Sequence, residues 1–237
     1  MEKGFSSSAP PVIYIGPFLS SSSSPLPLLE ACKTWGFFHI VNHNIDTKTP
    51  MEFTRQFFDL SLERKLAVSR SPSHRRGFTD RELTKQRLDL KQVFDFGRGD
   101  EVTNEEEGEN QWPYPPLPSN DEDSDYDEED EEFGVKFKAA METCFESCSA
   151  LATKLLTLIL CGGLDLNHNA SRPLLETIAS EQSHSSFMRL NYYPCPAPSS
   201  SPSLGISRHT DAGLLTVLTQ DEVAGFEVYS GSKVYYY

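Results

Sequence analysis

The clearest pattern of apolar and polar positions lies between Phe133 and Leu160. Phe137, Met141, Cys144, Cys148, Leu151, Leu155 and Leu158 recur at steps of three and four, and Gly162-Gly163 follows. That spacing predicts one long helix over 133–160 with a continuous apolar stripe, stopped by the glycines. A run of alternation predicts a short strand at Val12–Ile15, behind Pro10 and Pro11. Thr49-Pro50-Met51-Glu52 has the form of a capping box with Pro in the first turn, which predicts a helix carrying Phe53, Phe57 and Phe58 on one face. Ser61 opens a second short helix, and 69–81 reads as loop. Phe187–Tyr193 is strand-like and is closed by Pro194 and Pro196. The β-branched run Leu214–Thr219 predicts a mostly buried strand, and Gly225–Tyr237 a hairpin around Ser230-Gly231-Ser232.

Composition changes this picture in three places. At 237 residues and 38% hydrophobic content the chain can bury a sizeable core. No apolar run approaches the ~20 residues of a membrane span, and Met1–Ser8 has no apolar segment of the signal-peptide kind, so the expectation is a soluble, cytoplasmic protein without membrane attachment. The five cysteines, at 32, 144, 148, 161 and 195, are odd in number and lack paired CxxC spacing, which argues for reduced thiols rather than a disulfide framework or a zinc ribbon. Cys144 and Cys148 lie one helical turn apart and continue the apolar stripe, so they read as small core residues.

The net charge of −14 is concentrated. Ten of the 35 acidic residues fall between Asp121 and Glu132, where no Lys or Arg occurs, and the other 25 face 21 basic residues. A charge-balanced body of this kind offers no basic footprint for nucleic acid. The acidic run reads as a solvated, disordered insertion, because such runs repel themselves and bury nothing; an interaction tail or a divalent-cation sponge is the alternative. Residues 100–132 form a linker whose Trp112-Pro-Tyr-Pro-Pro docks on the body.

The candidate chemistry is at His209-Thr210-Asp211, between the two expected strands. Residues two apart on an extended segment point the same way, so an imidazole and a carboxylate can meet at one metal ion. A solvated loop or a plain hydrogen-bonded pair has the same local sequence.

Around this tripeptide, Asn191-Tyr192-Tyr193-Pro194-Cys195-Pro196, Gly205-Ile206-Ser207-Arg208-His209-Thr210-Asp211 and Leu214-Leu215-Thr216-Val217-Leu218 together resemble the core of the plant 2-oxoglutarate and Fe(II)-dependent oxygenases. Trp35-Gly36-Phe37-Phe38-His39-Ile40-Val41-Asn42-His43 resembles that family's N-terminal strand and Asn-His turn, and Leu88–Gly97 a further segment. The resemblance implies an α+β fold, a partial double-stranded β-helix (jelly roll) with a mixed helical N-terminal region, and a short helix near 171–180. It divides the chain into an N-terminal region (1–118), the acidic insertion (119–132), the long helix and connector (133–185) and a partial oxygenase domain (186–237).

For the site, the resemblance implies that His209 and Asp211 are two of three Fe(II) ligands of a 2-His-1-carboxylate triad. It gives Asn191 and Tyr193 to the co-substrate 2-oxoglutarate, and it implies O2, a small organic substrate and ascorbate as reductant. Arg189 and Arg208 stay open between solvent-facing and paired. His39 and His43 take structural roles. The family's second His and its Arg-x-Ser have no counterpart after His209 in these 237 residues. The expectation is therefore a monomeric oxygenase chain with negligible turnover of its own; the alternative is an inactive truncated isoform acting as an interaction protein.

Overall fold

The computed structural model describes residues 9–16, 25–99, 108–113, 128–163, 186–195, 204–230 and 233–236, together with 173, 176 and 177. In chain order its elements are β1 (Val12–Tyr14), α1 (Leu26–Thr34), β2 (His39–Val41), α2 (Lys48–Asp59), α3 (Leu62–Leu66), β3 (Gly77–Thr79), β4 (Leu83–Thr84), β5 (Arg87–Leu88), β6 (Gln92–Gly97), α4 (Glu128–Gly163), β7 (Phe187–Tyr192), β8 (Glu227–Ser230) and β9 (Lys233–Tyr236). They fall into two compact units, each assembled from separate stretches of sequence: 1–45, 148–179 and 215–237 in one, 46–147 and 180–214 in the other.

In the first unit β1 and β2 pair in parallel, Val12 opposite His39 and Tyr14 opposite Val41. Parallel neighbours need a crossover, and α1 supplies it. The expected alternation of β1 holds, with Ile13 and Ile15 buried and Val12 and Tyr14 exposed. Ile13 and Ile15 pack with Leu28, Ala31, Leu151 and Leu155. Helix α1 ends where the N–H groups of Trp35 and Gly36 both reach the Ala31 carbonyl, with Gly36 at φ 67°, the left-handed close that glycine makes without a Cβ penalty. The Trp35–Phe38 stretch is therefore a turn and an approach, and the strand begins only at His39. β8 and β9 form the expected hairpin, Glu227 opposite Tyr236; Gly231 and Ser232 lie outside the described residues.

The second unit is organised by the antiparallel sheet β3-β6-β7. One face of that sheet is aromatic. Phe78, Phe94, Phe96 and Leu190 meet Phe57, Phe58, Phe137, Met141 and Phe145 from the helices. Trp112 packs against Phe96 with ring centroids 5.1 Å apart, against Phe137 at 6.3 Å and against Phe94 at 6.4 Å, which is the docking expected of the Trp-Pro segment.

Several sequence expectations are corrected. The 69–81 loop contains β3, which forms because it finds β6 as a partner. α2 has no side-chain cap from Thr49; the Asp46 carboxylate accepts instead from the N–H groups of Lys48 and Thr49, at 3.0 and 3.2 Å. Ser61 does cap α3, accepting from the Arg64 N–H. α4 starts at Glu128, five residues before the expected start, so Glu128–Glu132 of the acidic run are helical. Glutamate is a good helix former, acidic charge suits a helix N-terminus, and Glu132 pairs with Lys136 at 2.7 Å. The rest of the acidic run and most of the expected helix near 171–180 lie outside the described residues. Glu131–Gly162 also reaches the length and apolar composition of a membrane span, contrary to the reading of the sequence. Its Phe137, Met141, Phe145, Leu151 and Leu155 are buried inside the protein, while most of its most apolar stretch is not buried.

The run 214–219 is not a strand. Leu214, Val217 and Leu218 are exposed, and a strand exists only against a ladder partner, which no described segment offers them. His209-Thr210-Asp211 therefore lies in a stretch without strand structure between β7 and β8, and no strand follows it directly.

Candidate metal centre

Alternation along β7 separates two kinds of side chain. Met188 and Leu190 turn to the aromatic core, while Phe187, Arg189 and Asn191 share the opposite face. On β6 the partners of that opposite face are Gly97, Asp95 and Val93, and Lys91 and Asp89 continue it by twos. The sheet thus has one aromatic face and one ionic face.

The ionic face is self-compensating at its centre. Arg189 donates from Nε to Asp95 Oδ1 and from Nη2 to Asp95 Oδ2, both at 2.8 Å, and from Nη1 to Glu82 at 3.2 Å. Arg70 closes the same group on Glu82 and Asp95. Burial alone would raise the Glu82 carboxyl, but Arg189 and Arg70 outweigh it and hold the group below its usual range. Arg189 thus belongs to the paired alternative, and Arg208 is exposed.

Toward the C-terminal end of β7 the face becomes less saturated. Lys91 donates to Asn191 Oδ1 at 3.3 Å and stands 3.9 Å from Asp89 Oδ2, which also accepts from the Thr84 hydroxyl at 2.7 Å. Burial, then the neighbouring Arg189, push the Lys91 ammonium below its ordinary range, against the pull of Asp89, Glu82 and Asp95. The Tyr193 ring lies so close to Gly205 that a Cβ there would stand 2.4 Å from it. Burial and the nearby Asp89 raise the Tyr193 phenol. The Gly205 carbonyl accepts from the Leu90 N–H at 2.9 Å. The segment that carries His209 is therefore tied, through Gly205, to the same end of the sheet as Asn191 and Tyr193.

His209 Nε2 and Asp211 Oδ1 are 3.4 Å apart, and His209 Nδ1 meets the Ser207 carbonyl at 2.9 Å. A carbonyl only accepts, so Nδ1 carries a proton, and in the neutral ring that leaves the Nε2 lone pair as the one available to a metal. A backbone carbonyl on the far nitrogen is the usual way a metal-binding imidazole is oriented. Two ligands at right angles on one ion, with bonds of about 2.1 Å, stand about 3 Å apart. The pair, half open to solvent, fits two adjacent positions of a divalent ion. Among the described residues no group of three His, Cys, Asp or Glu converges on one point.

His39 and His43 are elsewhere. His39 sits in the β1–β2 ladder, and His43 Nδ1 accepts from the Ile45 N–H at 3.1 Å in the turn that follows. Both are in the unit that does not contain His209. The residues that sequence reasoning missed are Asp89 and Lys91; their signal was the placement of polar Asp89, Lys91 and Asp95 at odd positions against apolar Leu90, Phe94 and Phe96, with Gln92 and Val93 out of phase.

Comparison with known proteins places the chain in a class. The chain matches the non-haem dioxygenase N-terminal family (in morphine synthesis) over residues 11–115 and the 2OG-Fe(II) oxygenase superfamily over residues 184–237. It belongs to the 2-oxoglutarate and Fe(II)-dependent oxygenases. Among relatives it is 32% identical over 230 residues to gibberellin 20 oxidase 1 of Arabidopsis thaliana, covering 92% of this chain and 55% of that protein. It is 31% identical over 216 residues to the proline hydroxylase buaE of Petromyces alliaceus, covering 85% and 59%. The chain spans about half the length of the curated relatives it matches. Similar solved structures include a full-length Neurospora crassa protein in complex with alpha-KG, at TM-score 0.55 and 24% identity over 78% of this chain and 54% of that one. Another is JOX2 in complex with 2OG, Fe and JA, at TM-score 0.55 and 21% identity over 78% and 48%. These likenesses are of fold: the neighbours have the jelly roll of the 2OG-Fe(II) oxygenases, and this chain shares a mix of helices and sheets with them.

Proposed function

We propose that this chain forms part of an oxygenase that couples the oxidative decarboxylation of 2-oxoglutarate to oxidation of a C–H bond in a small organic metabolite, with His209 and Asp211 as iron ligands. The observation that carries the reading is the convergence of His209 Nε2 and Asp211 Oδ1 at 3.4 Å with Nδ1 occupied by Ser207. Bound iron would supply the activation of O2, the second oxygen atom of which leaves in succinate as CO2 is released. The chain's own part is positional. Ser207 fixes the imidazole, Asp211 brings a negative charge to the cation, and Asn191 and Tyr193 offer polar groups to 2-oxoglutarate. The chain supplies part of the jelly roll. Ascorbate as reductant, a monomeric state and a cytoplasmic location complete the proposal.

The relatives are named for a gibberellin, for proline and for the flavanone naringenin, so the substrate is assigned by class alone. The test is calorimetric titration of Mn(II), an oxygen-inert substitute, into the chain, followed by 2-oxoglutarate. One Mn(II) per chain, with 2-oxoglutarate binding only in its presence, is the expected result. Equal Mn(II) affinity in His209→Ala and Asp211→Ala overturns the assignment.

A further inference from the structure

Lys91 is one of the least accessible charged residues in the protein. Its side chain is 2% exposed, and that of its neighbour Asp89 is 1% exposed. An ammonium has three donors and no acceptor, so the only side-chain atom of Asn191 that can accept from it is the carboxamide oxygen, and that is the atom it meets, at 3.3 Å. Asp89 Oδ2 stands 3.9 Å from the ammonium and itself accepts from the Thr84 hydroxyl at 2.7 Å. Asp89 Oδ1 is buried with no partner among the described residues.

The consequence falls on the other end of the Asn191 amide. A free asparagine presents its oxygen or its nitrogen with little preference between the two. With the oxygen taken by Lys91, the NH2 group must face away from the lysine, on the exposed end of β7, and no side-chain hydrogen bond of that nitrogen is made to any described residue. Tyr193, two residues on, is held beside it by its contact with Gly205. An ionised carboxylate is an acceptor only, so it binds an amide presented nitrogen-first and is repelled by one presented oxygen-first.

We propose that Lys91 is a positioning residue for 2-oxoglutarate: by occupying the Asn191 carboxamide oxygen it turns the amide NH2 out as a donor for a carboxylate of the co-substrate. The inference rests on the assignment of Asn191 to 2-oxoglutarate made above and adds the reason that side chain is competent to bind an anion. Lys91 acts through Asn191 and touches no co-substrate itself.

The test uses the full chain with Mn(II). Lys91→Met should weaken 2-oxoglutarate binding about tenfold, the loss of one oriented hydrogen bond to a charged group, and leave Mn(II) affinity unchanged. Lys91→Arg, which also only donates, should restore most of it. In an Asn191→Ala background Lys91→Met should cost nothing further; the same loss in both backgrounds, or none in the wild type, overturns the proposal. A second readout needs no ligand. The side-chain NH2 signals of Asn191, identified by their loss in Asn191→Ala, should move in the 15N–1H spectrum of Lys91→Met, and unmoved signals overturn the Lys91–Asn191 coupling. Signals that move in a chain that binds no 2-oxoglutarate overturn instead the assignment of the co-substrate, and with it the role given to the amide. If circular dichroism shows Lys91→Met unfolded, the paired variant Lys91→Met/Asp89→Asn removes both charges together and is read in the same way.

Discussion

Arg189 and Asp95 face each other across the β6–β7 ladder and join through two parallel N–H···O bonds of 2.8 Å. A planar fork meeting a carboxylate in this way is among the stronger polar contacts a protein makes. Removing the guanidinium leaves Asp95, with a side chain 8% exposed, and Glu82 sharing Arg70 alone. Arg189→Met should therefore destabilise the second unit by about 3 kcal/mol, the cost of breaking a buried pair from one side. Urea unfolding of the variant checks this, and a change under about 1 kcal/mol, the range of exposed pairs, would mean that water screens the cluster.

The same cluster sets an acid limit. Glu82 has a folded pKa held below its ordinary value of 4.5, so the folded state binds a proton there less readily than the unfolded chain. Its contribution is complete above about pH 4.5 and is lost as pH falls through the lowered folded value. Melting temperature followed from about pH 7 to about pH 3 should decline in that acid window, and Glu82→Gln should flatten part of the decline. Parallel curves for the two proteins would refute it.

Glycine is required at 77 on two counts. Its φ is 115°, and a Cβ there would stand 2.3 Å from the Val68 carbonyl, which itself accepts from the Phe78 N–H at 2.8 Å. Gly77→Ala should cost about 1–3 kcal/mol or more through backbone strain, read as a lowered urea midpoint. Gly205→Ala is a different kind of change, because its obstacle is the Tyr193 ring and not backbone. It should leave the urea midpoint almost in place while weakening 2-oxoglutarate binding; unaltered binding would remove Tyr193 from the site.

Histidine substitutions separate ligand from scaffold. His209→Ala should lower Mn(II) affinity by about tenfold or more with the fold intact. His39→Ala and His43→Ala should leave that affinity unchanged, and any loss should appear in melting temperature. Loss of Mn(II) binding in either of those two would return them to the ligand set.

What the sequence made legible was whatever depended on local periodicity. The stripe of α4, the β1 alternation, the Ser61 cap and the β8–β9 hairpin all follow from spacing within a few residues. The pairing of His209 with Asp211 was legible for the same reason. Partnership at long range was not. Gly77–Thr79 looks like loop until β6 is beside it, and Leu214–Thr219 looks like strand although nothing described pairs with it. Lys91 and Asp95 alternate with apolar neighbours as solvent-facing residues do; their burial follows from Asn191 and Arg189, which stand far along the chain and beside them in the sheet.

The aromatic packing has an optical consequence. The chain has two tryptophans, and they divide evenly: Trp35 lies against Tyr235 at 4.7 Å in the first unit, and Trp112 among the phenylalanines of the second. Each unit carries its own fluorophore. Replacing either indole with Phe leaves the tryptophan emission of the other unit alone, so a pair of single-tryptophan proteins would report whether the two units melt at one temperature or at two.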